Sequence, residues 1–120
     1  MRSFVEQNPS RMCSFKTWFH DEAIGYTVEC KDCGQFQIGF GNVMLTLTVE
    51  AFQGLVTWVA KEMTFLDPHI ACSAKCIIVP TPTSTVNLLL SPMELMGLHT
   101  MLEAADTEIK TAQLLTLFHV

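Results

Sequence analysis

The sequence predicts an α+β domain, an antiparallel β-sheet built from hairpins with two main helices packed on one face. Three observations predict it. Two alternating segments flank a two-residue turn signal, two apolar-striped segments each follow a capping residue, and the unit that contains these features occurs twice.

Taken in order, residues 1–11 read as a flexible N-terminal tail, with Asn8-Pro9-Ser10 marking a turn, and residues 12–120 as a single domain. The aromatic-rich stretch 12–19 predicts a first strand, and His20-Asp21-Glu22-Ala23 a polar turn. Residues 24–30 predict a second strand, with Ile24, Tyr26 and Val28 on one side. Next comes the strongest local signal. Gln35 to Phe40 alternates, Gly41-Asn42 is a two-residue turn, and Val43 to Leu47 alternates again. A two-residue loop pairs Phe40 with Val43, Ile38 with Leu45 and Phe36 with Leu47, so all six apolar side chains share one face. A slip of one residue would turn every one of them to the opposite face, so turn and pattern specify the same register.

Thr48 is positioned to cap a helix starting at Val49, in which Phe52, Leu55, Val56, Val59 and Met63 form one stripe. Asp67-Pro68 sets its limit. Ile77 to Val79 and Val86 to Leu90 predict two further strands joined by the loop Pro80 to Thr85. Ser91 caps a second helix and Pro92 takes its first position, where the missing N–H costs nothing. Leu95, Leu98, Leu102 and Ala105 are its stripe; Asp106 to Val120 either continues it or starts anew, with an apolar end suited to packing on something.

A displacement of 43 residues superposes seven identities: Cys33 on Cys76, Val43, Leu45 and Leu47 on Val86, Leu88 and Leu90, and Gly54, Leu55 and Thr57 on Gly97, Leu98 and Thr100. The caps Thr48 and Ser91 coincide as well. This predicts ββα pseudo-repeats over about 30–63 and 73–106, related by a pseudo-twofold axis.

Composition narrows the function classes. Apolar residues make up 49% of the chain and charged residues 16%, so some apolar surface is expected to be covered by a partner, most simply a second copy in a homodimer. The net charge of −5 and the scattered basic residues argue against nucleic acid and against anionic membranes. The charge-free stretches Cys33 to Val49 and Cys76 to Met93 carry too many polar residues, Gly and Pro to span a bilayer. The N-terminus lacks an apolar h-region, and a cytoplasmic location with reduced thiols is the expectation.

The chemistry-bearing residues are cysteines: Cys13, Cys30, Cys33, Cys72 and Cys76. Cys30-Lys31-Asp32-Cys33-Gly34 has the form of a knuckle whose turn aims two sulfurs at one zinc ion. Cys72 and Cys76, with three residues between them, are the candidate second pair, because Cys76 takes the place of Cys33 in the repeat. The expectation is a structural zinc held by Cys30, Cys33, Cys72 and Cys76, set against buried cysteines that act as small hydrophobes. A redox Cys-x-x-Cys is the enzymatic alternative, but its thiolate is activated at a helix N-terminus, and here strand-like segments flank the motif. Cys13 reads as a free strand thiol. His20, His69 and His119 read as exposed, and His99 as a hydrogen-bonded core or interface residue. No nucleophile elbow, His-Glu-x-x-His, phosphate loop or dinucleotide fingerprint is present, so no catalytic or cofactor-binding residue is assigned.

The run Cys30 to Phe52, CKDCGQFQIGFGNVMLTLTVEAF, resembles a family of small uncharacterised bacterial proteins with a Cys-x-x-Cys knuckle, an aromatic-Gly turn and a following helix start. Lys75 to Pro82 is also similar to it. The resemblance implies a bacterial cytoplasmic source and a domain of unknown function. Three readings follow: a non-catalytic binding or interaction domain, a thiol-redox enzyme or sensor using Cys30 and Cys33, and a small-ligand carrier.

Overall fold

A computed structural model describes residues 14–118; the expected tail, Cys13 and His119 lie outside them. Four strands, β1 (Phe15–Asp21), β2 (Gly25–Cys30), β3 (Phe36–Phe40) and β4 (Val43–Leu47), form an antiparallel meander in sequence order. Helix α1 (Val49–Thr64) follows, then a separate two-stranded ribbon of β5 (Ile77–Pro80) and β6 (Asn87–Leu90), and finally the long helix α2 (Pro92–Phe118).

The central hairpin has the register its pattern dictates, with Phe36 opposite Leu47, Ile38 opposite Leu45 and Phe40 opposite Val43. Gly41 supplies the positive φ, 58°, that a two-residue turn needs. Thr48 caps α1, its hydroxyl accepting from the Ala51 N–H at 3.1 Å. At α2 the cap is reciprocal. The Glu94 N–H donates to Ser91 Oγ at 3.2 Å and the Ser91 N–H donates to Glu94 Oε1 at 2.9 Å, a capping box.

One core joins all the layers. Phe36, Ile38 and Leu47 of the sheet meet Phe52, Leu55, Val56 and Val59 of α1; Val79, Leu88 and Leu90 of the ribbon and Leu95, Leu98, Met101, Leu102, Ala105 and Ile109 of α2 complete it. The rings of Phe36 and Phe52 stack with centroids 4.4 Å apart.

Three local expectations change. His20 and Asp21 belong to β1, which runs on past the expected turn and bulges at Trp18. Tyr26 and Val28 share a side of β2, but it is the reverse side of the sheet; Thr27, opposite Ile38, points to the helices. The two ββα segments keep the same element order, yet their hairpins do not join one sheet. Their loops also differ, since the first hairpin turns over two residues and the second over Thr81 to Val86.

Candidate functional site

The knuckle forms where β2 ends. Gly34 donates to the Cys30 carbonyl at 2.8 Å, Cys30 donates to the Gln35 carbonyl at 2.8 Å, and the Cys33 N–H points at Cys30 Sγ at 3.4 Å. Lys31 donates to the Ser14 carbonyl at 2.7 Å, and Asp32 Oδ2 accepts from the Ser14 N–H at 3.0 Å, which ties the bend to the start of β1. Cys30 is buried and Cys33 exposed. Strand β3 follows this bend, so neither thiol sits at a helix N-terminus, the place where a redox Cys-x-x-Cys is activated.

Cys72 and Cys76 are exposed and lie elsewhere. Cys72 accepts from the Met93 N–H at 3.1 Å and Cys76 donates to the Leu90 carbonyl at 3.2 Å. Lys75, between them, pairs with Glu94. This loop therefore clasps the N-terminus of α2. The knuckle sits at the other end of that helix, where Glu29 and Lys31 border a groove with Ile109, Gln113 and Thr116. Sixteen to twenty residues of helix from Met93 span roughly 25–30 Å, whereas thiolates on one zinc each lie about 2.3 Å from the metal. The four thiols expected to share an ion thus form two separate pairs in a single chain. Among the described residues, no three His, Cys, Asp or Glu side chains gather as a metal site.

The histidines are dispersed. His20 is exposed on β1, and the His69 N–H caps back to Asp67 Oδ1 at 2.8 Å. His99 is half-buried on the flank of α2, its Nε2 3.6 Å from Glu103 Oε1, and of the core and interface positions expected for it the core one is not taken.

Surfaces are more distinctive than titratable clusters. Beside β4, a groove of about 310 Å³ is lined by Leu45, Leu47, Gly54, Trp58, Pro80 and Pro82 among others. A second feature is the end of α2. Its core stripe continues in helical phase through Ala112, Gln113 and Thr116, which border the groove near the knuckle. Leu114 and Phe118 fall roughly 150–170° from that stripe and are 54% and 80% exposed, with Leu115 at 65% and Leu117 at 75% beside them. The apolar side of the helix has changed over to the outside. Every residue from Thr111 to Phe118 is uncharged. The sequence carries a signal for this orientation, since continuing the Leu95–Ile109 phase by a further two turns points the apolar end outward.

No helix among the described residues is long and apolar enough to cross a membrane. The fold and its surfaces define a small α+β domain with open apolar surfaces and no gathered metal-binding cluster among the described residues. The chain belongs to the family of unknown function DUF6686, whose model matches residues 12–119. No curated protein and no solved structure matches it.

Proposed function

We propose that the chain is a non-catalytic interaction domain that pairs with a second copy of itself in the cytoplasm of a bacterium. The observation that carries this reading is the outward apolar arc of Leu114, Leu115, Leu117 and Phe118 at the end of α2. Four large adjacent apolar side chains exposed by half or more are what a water-facing helix avoids and what an interface needs. A helix end offered to an identical helix end gives an isologous contact, the commonest symmetry of soluble assemblies. Light scattering on the size-separated protein at micromolar concentration tests it. The expected mass is that of a dimer, and Leu115→Glu with Leu117→Glu is expected to give monomers with an unchanged thermal midpoint. A monomeric parent protein, or a dimer that survives both substitutions, sinks the reading.

A structural zinc at the Cys30/Cys33 bend is a second reading, supported by the Cys33 N–H directed at Cys30 Sγ. Thiolate pairs on zinc receive such bonds. The remaining ligands would come from outside the described residues or from another chain. Metal analysis after purification without added metal checks it. About one zinc per chain, lost in Cys33→Ser, is the supporting result; metal-free protein rejects it.

A further inference from the structure

We infer that the open edge of β4 and the groove beside α1 together take an extended, uncharged apolar segment of another protein as an added strand. This goes beyond self-association, since it uses a different face and a different partner.

The edge comes first. β4 is the outermost strand of its sheet. A two-residue turn closes on the hydrogen-bonded pair Phe40–Val43, so Val43, Leu45 and Leu47 direct their backbone groups at β3. Met44 and Thr46 direct theirs outward, and among the described residues no backbone bond reaches them from elsewhere. Unpaired N–H and C=O groups in that spacing are complementary to one thing, another extended backbone.

Gly54 is the second observation, and it is independent of the edge. It sits in the middle of α1, where glycine is the poorest helix former after proline. Its φ is not positive, and a Cβ built on it meets nothing within 4 Å. Neither backbone conformation nor packing within the chain requires glycine there. What a larger residue would do is fill the groove, whose wall Gly54 forms. The missing side chain keeps that space open for an occupant.

The occupant's chemistry follows from the walls. Leu45 and Leu47 lie on the helix-facing side of β4, so alternate residues of an added strand would point into the same groove. No charged residue lines it, and a buried unpaired charge is costly, so those alternate residues are uncharged and apolar. Pro80, Thr81 and Pro82 complete its lining. The groove, about 310 Å³, has room for those alternate side chains, and pairing with the β4 edge of a second copy is kept as an outcome of the test.

The test uses the full chain and the peptide acetyl-Lys-Thr-Val-Thr-Val-Thr-Lys-amide, with a control in which both valines are proline. Amide exchange and chemical shifts are followed by NMR. Addition of the valine peptide is expected to slow exchange at Met44 and Thr46 at least tenfold and to shift the Trp58 indole signal, while the proline peptide does neither. Gly54→Leu is expected to weaken binding at least tenfold without lowering the thermal midpoint. Thr46→Pro, which removes one outward donor from an edge strand, is expected to do the same. Unchanged Met44 and Thr46 amides, equal effects of the two peptides, or full binding by both variants overturns the inference. So does concentration-dependent protection of these amides without peptide, which would mean that β4 pairs with its own copy.

Discussion

Gln53 of α1 donates through Nε2 to Asp106 Oδ1 of α2 at 3.0 Å, and Lys110 reaches the other oxygen at 2.8 Å. Asp106 is only 6% exposed on the core side of α2. The carboxylate is thus desolvated by the helix packing and held by one neutral and one charged donor. Asp106→Ala removes the acceptor and strands Gln53 at the interface, so a loss of about 1–3 kcal/mol is expected from urea unfolding. Asp106→Asn keeps an acceptor for Gln53 and should recover part of it.

Tyr26 and Gly39 face each other across β2 and β3, and the Tyr26 ring occupies the space a Cβ at residue 39 would need. The ring covers the backbone of a residue that would otherwise weaken the strand. Burial raises the Tyr26 pKa above its ordinary value of 10.0. Gly39→Ala forces the ring aside, and a destabilisation of about 1–3 kcal/mol is expected by thermal or urea unfolding. In Tyr26→Ala the same substitution should cost much less, which a double-mutant cycle reads directly.

Thr27 is fully buried between β2 and the helices, and its hydroxyl has no hydrogen-bond partner among the described residues. Valine has the same shape without the polar atom. Thr27→Val is therefore expected to be neutral or to stabilise by up to about 1 kcal/mol, measured as a rise in the urea midpoint at constant slope. A loss of stability would mean that the hydroxyl has a partner after all.

Glu94 receives Lys75 and the Ser91 N–H, and these hold its carboxyl below the ordinary value of 4.5. A carboxylate with a depressed folded pKa contributes stability above its unfolded pKa, and the contribution is lost as the pH falls through the folded one. The side chain is 40% exposed, so solvent screens the pair and the effect is small. Wild type is expected to melt above Glu94→Gln at neutral pH. The gap should close as the pH drops below the ordinary carboxylate value.

Much of the scaffold was legible because it rests on local rules. The Phe36–Leu47 hairpin combines a two-residue turn with period-two alternation, and both demand one register. The α1 and α2 starts follow from Thr48, and from Ser91 with Pro92, because capping involves neighbours within one turn. His20 was misplaced because a polar residue on the exposed side of a strand resembles a turn residue when its partner, Tyr26, is not yet known. The zinc expectation depended on the repeat bringing two bends together, and a matched element order does not fix where the bends lie.

Sequence alone determined the elements, the central register and the helix caps, since each depends on residues a few positions apart. Only the tertiary structure decided that Cys30 and Cys76 sit at opposite ends of α2, that Gly54 faces open space and that Leu114 to Phe118 face away from the core. Those are distances and directions between elements. They are set by how the sheet, ribbon and helices share one buried interior, and no periodicity within a single segment encodes them.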